Sequence, residues 1–275
     1  GDGEDIDADK CFRWLASSLS GLADNATVEA WADVNYGVVA ATNENPKYNS
    51  RSYRQGGPVF KAKGVNSRPS VNFNGSQSIT VPTVSNPLYG RTSCTVVAVV
   101  KPNANTSQLS GCYNSPVLSI MPGSTLAYAS FGGFGNRGGT AGWRPGIGRK
   151  WAGDAYSGTN AQQVFCGRDG VSFNDGEIHA FAITVDGNKV TITGDGDVTN
   201  DVWTAYDRVA PFGYFNTGYH AQDEERGRLF FGGHVVNNVD GAFYNGDILE
   251  LRVYTNRLFT AAEQLKVTKH LLAEY

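Results

Sequence analysis

The stretch Gly246-Asp-Ile-Leu-Glu-Leu-Arg-Val-Tyr254, followed by Thr255-Asn-Arg-Leu258 and Phe259-Thr-Ala-Ala-Glu-Gln-Leu-Lys-Val-Thr-Lys-His-Leu-Leu-Ala-Glu-Tyr275, decides the fold class. Leu249, Leu251 and Val253 alternate with Glu250 and Arg252, which is the period-2 pattern of a half-buried strand. Thr260 followed by Glu263 forms a capping box, each side chain satisfying an otherwise unpaired N–H at a helix start. A short helix follows, with Ala261, Leu265, Thr268 and Leu272 at 3- and 4-residue spacing. That face is expected to lie on a sheet or loop, with Lys266 and Lys269 toward water.

Upstream segments extend the pattern. Phe12-Arg-Trp-Leu-Ala16 and Thr27-Val-Glu-Ala-Trp-Ala-Asp33 read as a first pair of strands. Arg68-Pro-Ser-Val-Asn-Phe-Asn-Gly75 reads as an arginine-proline, strand, glycine element, and Thr95 to Val100 as a central strand. With the terminal strand and helix, these segments resemble the concanavalin A-like lectin/glucanase superfamily in its laminin-G-like branch, over Phe12 to Tyr275. The resemblance implies an all-β fold: a two-sheet antiparallel β-sandwich (jelly roll, concanavalin A-like) with a short C-terminal α-helix. It leaves function open, because that superfamily includes sugar-binding modules, hydrolases, lyases and adhesion domains.

Composition agrees with many short strands. The 275 residues include 34 glycines, and sandwiches of this length are commonly one domain. The expected organisation is an acidic arm, 1–10, and one sandwich domain, 11–275. A net charge of −3 gives no general attraction to nucleic acid or to a membrane surface. No apolar run approaches the ~20 residues that span a bilayer, and no charged-then-apolar leader is present, so any secretion signal is expected to have been removed. Cys11, Cys94, Cys112 and Cys166 are too widely spaced for a zinc motif. In an oxidising compartment at least one bridge is expected, against the alternative of scattered buried thiols. Asn25-Ala-Thr27, Asn74-Gly-Ser76 and Asn105-Thr-Ser107 match the glycan acceptor pattern, as chance also allows in so Asn-, Ser- and Thr-rich a chain.

The arm carries Asp2, Glu4, Asp5, Asp7 and Asp9 against Lys10, a net −4. Alternating Asp5, Asp7 and Asp9 resemble the start of a calcium loop, since Ca²⁺ gathers several carboxylate oxygens. The loop's glycine is absent and its twelfth position would be Ala16, which excludes an EF-hand. A looser Ca²⁺ site and an arm docked on protein both remain open; no cofactor is required.

Phe131 to Arg168 is rich in glycine and aromatic residues and reads as a long loop. Arg137, Arg144, Arg149, Lys150 and Arg168 stand against Asp154 there, a local +4. Long loops in compact domains usually carry function. Aromatic rings stack on sugars and arginine forks pair with carboxylate or sulfate, so the segment suits an anionic glycan. The candidate contacts are Arg137, Trp143, Arg144, Arg149, Trp151 and Tyr156. A second loop, Tyr206 to Arg228, adds Tyr219 and His220. The opposing reading is that Trp143 and Trp151 pin the loop to the sandwich. Trp14 and Trp31 sit in alternating apolar runs and read as core. Gly133-Phe-Gly-Asn-Arg-Gly138 fits G-x-G-x-x-G by accident, because the glycines and Pro145 beyond it forbid the helix a dinucleotide site needs.

Catalytic signatures are missing. Sandwich hydrolases oppose two carboxylates across a cleft, and their Glu-x-Asp-x-x-Glu string does not occur. Glu177-Ile-His179 departs from the Gln-Ile-His of alginate-type lyases at its first position, leaving a lyase with His179 as base and Tyr214 or Tyr219 as acid on fold analogy alone. The resemblance makes His179 structural instead. Gly194-Asp-Gly-Asp197 reads as a turn, or with Asp201 as a gathering of metal ligands. Three functions therefore stand: an extracellular, cell-surface or virion-surface glycan-binding or adhesion domain; a structural subunit self-associating through its arm; and a polysaccharide hydrolase or lyase. The first is preferred.

Overall fold

The structure is a computed structural model that describes residues 3–44, 56–91, 93–103, 117–121, 128–136, 143–150, 161–166, 172–187, 189–202, 227–236 and 239–275. In chain order the strands are β1 (Phe12–Leu15), β2 (Ala30–Ala32), β3 (Val39–Ala41), β4 (Val59–Val65), β5 (Arg68–Asn74), β6 (Ile79–Val81), β7 (Ser93–Pro102), β8 (Leu118–Met121) and β9 (Tyr128–Asn136). There follow β10 (Trp143–Lys150), β11 (Ala161–Phe165), β12 (His179–Asp186), β13 (Lys189–Gly194), β14 (Asp197–Val202), β15 (Arg228–Phe231), β16 (Gly233–Val236), β17 (Val239–Phe243) and β18 (Asn245–Tyr254), and then helix α1 (Ala261–Glu274).

Two antiparallel sheets make a β-sandwich. The first runs β14-β13-β12-β7-β18-β5-β4, with β1 also paired to β18; the second runs β11-β10-β9-β8-β15-β6-β3-β2. β16 and β17 form a separate ribbon. Between the sheets lies a core that includes Trp14, Trp31, Phe73, Phe131, Phe181 and Phe231. Trp14 and Trp31 are fully buried, as their alternating contexts imply. The segments carrying them are not paired with each other: β1 joins β18 in one sheet and β2 joins β3 in the other. The two tryptophans instead meet across the core, each edge-on to Phe231.

The central strands of the first sheet, β7, β12 and β18, are buried on both faces. Phe181, Ile183 and Val185 of β12 enter the inter-sheet core, while Ala180 and Ala182 enter a second apolar cluster with Ile6, Val97, Val99, Val267 and Leu271. Helix α1 and the N-terminal arm cover that second side. Strands enclosed on both faces read as continuous apolar runs, and Thr95 to Val100 is one. β18 disguises its enclosure. Its pairing with β7 shifts register between Ile248 and Glu250, so Ile248, Leu251 and Val253 line the inter-sheet core while Leu249 and Tyr254 join the outer cluster. Glu250 and Arg252, expected at the solvent face, are both fully buried.

Thr260 caps α1 with both halves of the capping box formed. The buried face of the helix is Gln264, Val267, Thr268 and Leu271, one step round from the apolar face expected. Gln264 accounts for the rotation. Its amide nitrogen donates to Thr184 Oγ1 at 2.8 Å and to the Thr191 carbonyl at 3.0 Å, and its oxygen accepts from Thr193 Oγ1 at 2.8 Å. A polar side chain with every bond satisfied is as much at home under a helix as an apolar one.

The segment read as a long loop from Phe131 is largely strand. β9, β10 and β11 form a three-stranded edge to the second sheet. Glycines hide the alternation there. One of them is required: Gly132 has φ +62°, and a Cβ on it would stand 2.2 Å from Phe181 Cζ. Cys11 and Cys94 are buried free thiols. Burial is the main cause in both cases, pushing the Cys11 thiol up to about 11 and the Cys94 thiol higher.

Candidate functional site

Trp143, Arg144 and Arg149 lie together on β10, the second strand from the β11 edge of its sheet. The backbone of Trp143 pairs with Asn136, Arg144 with Gly135 and Arg149 with Ala129; Arg149 also pairs with Gln162 of β11. Pairing of this kind fixes their order along a strand rather than leaving them on a long excursion. Arg137, Trp151, Tyr156, Tyr219 and His220 lie outside the described residues, as does Tyr214.

Farther along the second sheet its outer face is lined by small polar residues. Leu229 and Phe231 of β15 belong to the core, so the intervening Phe230 is directed to the other face by strand alternation. It pairs in register with Thr80 of β6 and Ser119 of β8, and all three are buried. Arg228, on the same side, bonds through Nη1 to the carbonyl and carboxylate of Glu44.

The buried carboxylates among the described residues hold the fold. Asp33 accepts the backbone N–H groups of Arg13, Asn35, Tyr36 and Val38. Asp247 accepts from Ser70 Oγ at 2.8 Å and Asn72 Nδ2 at 3.3 Å. Glu250 receives Arg13 Nε at 2.6 Å, Arg252 Nε at 2.5 Å and the Tyr275 hydroxyl at 2.9 Å. All three are buried and engaged by partners within the fold.

His179 is held on both sides. Its Nδ1 lies 2.5 Å from Asp195 and its Nε2 lies 2.8 Å from Asp175, with Phe173 tilted against the ring. Both nitrogens are therefore engaged by carboxylates. The Gly194-Asp-Gly-Asp197 segment is the β13–β14 turn, so Asp195 serves the histidine.

The arm is docked on its own chain. Ile6 is buried, Asp5 pairs with Arg252, Asp7 with Lys10 at 2.8 Å and Arg257 at 3.1 Å, and Glu4 with Lys266 at 3.0 Å. The Lys10 ammonium first, then the Arg257 guanidinium, hold Asp7 below the usual carboxylate range. Asp9 is exposed. Among the described residues no three His, Cys, Asp or Glu side chains gather into a group that could hold a metal ion, and no helix is long and apolar enough to cross a membrane.

No protein-family model matches the chain, nor does any curated protein. Solved structures do. Trypanosoma rangeli sialidase in complex with sialic acid superposes with a TM-score of 0.52 and 14% identity, over 98% of this chain and 35% of the sialidase. Domain 4 of AbnA, a GH43 extracellular arabinanase from Geobacillus stearothermophilus, in complex with arabinotriose, gives a TM-score of 0.49 and 16% identity over 78% of this chain and 82% of that one. The CBM40 of Ruminococcus gnavus IT-sialidase, bound to alpha2,3 sialyllactose, gives 0.47 and 12% over 72% and 95%. The sialidase match is one of fold: the chain is a β-sandwich, spanning about a third of that protein's length.

Proposed function

We propose that this chain is a non-catalytic, extracellular glycan-binding or adhesion module that takes its ligand at the β9–β11 edge of the second sheet. The observation that carries the reading is the placement of Trp143, Arg144 and Arg149 on one strand of that edge. An indole offers a stacking surface for a sugar ring, and guanidinium forks pair with acidic substituents in bidentate fashion. Arg137, Trp151, Tyr156, Tyr219 and His220 complete the proposed contact set, and the ligand is an acidic oligosaccharide or polysaccharide. The sandwich matched in the sialidase structure, itself in complex with sialic acid, supports a carbohydrate context. The structural commitment of Asp33, Asp247 and Glu250 supports binding without hydrolysis. Self-assembly through the acidic arm would require Asp5, Asp7 and Glu4 to leave Arg252, Arg257 and Lys266.

The test is a glycan array followed by calorimetry with the best acidic ligand, for the natural chain and for Trp143→Ala, Arg144→Ala and Arg149→Ala. Binding should fall at least about tenfold in each variant, as loss of one charge-assisted or stacking contact implies, with the unfolding midpoint unchanged. A chain that binds no glycan on the array, or variants that bind as before, would refute the assignment; variants that unfold would return these residues to the core.

A further inference from the structure

The first residue of β12 carries an arrangement that the glycan reading does not use. His179 has the core parity of Phe181 and Ile183, but is the first residue of the strand. Segment 172–178, which leads into β12, supplies Asp175 and Phe173 to the ring, and the β13–β14 turn supplies Asp195. Asp175 Oδ1 meets Nε2, Asp195 Oδ2 meets Nδ1, and Asp195 Oδ1 also accepts the Ala180 N–H at 3.2 Å. A second tie lies alongside: Cys166, just past β11, donates its Sγ–H to the Asp197 carbonyl at 2.9 Å. Residues 195–197 thus hold the end of β11 and the approach to β12 together.

We propose that Asp175, His179 and Asp195 form a proton-operated latch across this rim, closed by the imidazolium and released when the ring loses its proton. A carboxylate only accepts hydrogen bonds, so two carboxylates on one imidazole require an N–H at both nitrogens. The neutral ring keeps one N–H and turns a lone pair toward the other carboxylate, so one bond becomes a repulsion. Asp175, with 41% of its side chain exposed against 30% for Asp195, is the arm that water replaces more readily. Among the described residues the groups facing the ring are these two carboxylates and Phe173. Glu177 lends only its backbone N–H, to Asp175. β7 sets Val100 opposite His179, β13 sets Gly194 opposite Phe181, and α1 turns Gln264, Val267, Thr268 and Leu271 to the sheet; none of these is charged.

Burial opposes the charged ring, but the hydrogen bonds that it donates to Asp195 and Asp175 outweigh it and hold His179 above its ordinary value of 6.5. The same bond holds Asp175 below its ordinary 3.8 in spite of partial burial. A raised histidine contributes stability that is complete below 6.5 and is lost as pH rises through the folded value; a depressed aspartate contributes stability above 3.8 that is lost as pH falls through its own. The latch is therefore shut between the two and opens on the alkaline side. Asn174 favours opening. Its side chain is buried with neither amide atom hydrogen-bonded, a cost that water entering the open rim removes.

The test needs no ligand, so its failure leaves the glycan assignment standing and its success does not require it. The ring protons of the full chain's four histidines are followed by NMR from pH 5 to 9, with His179→Gln assigning the signal. Amide exchange of 172–180 and 194–197 is followed over the same range, corrected for intrinsic rate. The expected midpoint for His179 lies above 6.5, with protection at both segments falling about tenfold for each unit of that excess once the ring is neutral. Asp175→Asn should lower the midpoint. A midpoint at or below 6.5, or protection that stays level while the ring deprotonates, overturns the latch, and both are read on the natural chain even if a variant fails to fold.

Discussion

Glu250 and Arg252, two residues apart on β18, form an ion pair at 2.5 Å with neither side chain reaching solvent. Arg13 reaches the same carboxylate and Asp5 the same guanidinium, so the charges balance. The pair belongs to the face of the first sheet that α1 and the arm cover.

Glu250→Ala should be among the most damaging single changes in the chain. Removing one partner of a buried pair typically costs about 3–5 kcal/mol; here it leaves Asp5 as the one acid facing Arg252, with Arg13 stripped of its carboxylate. Urea unfolding should show a lower midpoint at an unchanged slope. A loss under about 1 kcal/mol would mean that water already reaches Arg252.

Removal of residues 1–10 uncovers Arg252 and the cluster around Ile6. The expected effect is a lower unfolding midpoint, with the molar mass by light scattering equal to that of the full chain at low and high salt. A full chain whose mass falls with salt or with truncation would instead establish the arm as a contact between copies.

Gln264→Ala leaves Thr193, Thr184 and the Thr191 carbonyl short of a partner, and the unmet polar groups should cost about 1–3 kcal/mol. Gln264→Leu tests packing separately. If leucine restores stability, burial of the helix face rather than the amide bonds fixes α1.

Gly132→Ala places a methyl against the Phe181 ring on a left-handed backbone. Overpacking of this kind costs about 1–3 kcal/mol, and the conformation adds about 1–2 kcal/mol. Pairing the change with Phe181→Leu should recover part of the loss in a double-mutant cycle; strictly additive effects would mean that the two positions do not meet.

Local signals gave the framework. The capping box at Thr260 and Glu263 and the apolar run of β7 are each written within a few residues, and the structure realises them. What a short window cannot hold was missed. The register shift at Leu249 moves that residue to the opposite face from Leu251, which simple alternation does not foresee. Glu250 and Arg252 look like a solvent face because their partners, Asp5 and Arg13, lie more than 230 positions away. β9–β11 hold only two of the β-branched residues that announce strands, Ile147 and Val164, set among glycines and polar residues. Of the candidate contacts, sequence supplied the residue types of Trp143, Arg144 and Arg149, but only pairing put them on one strand. His179 was legible as structural; its two carboxylates stand on different turns, 20 residues apart, and only topology joins them.

The position of β18 also bears on how the molecule is made. It is the middle of the first sheet, between β7 and β5 and against β1, yet it is the last strand in chain order. During synthesis β5 and β7 must wait on the ribosome with unpaired edges until residues 245–254 emerge, an interval in which exposed strand edges invite association with other chains. A chaperone that shields apolar strands should therefore bind nascent chains ending before residue 245 and release those in which residues 245–254 have emerged.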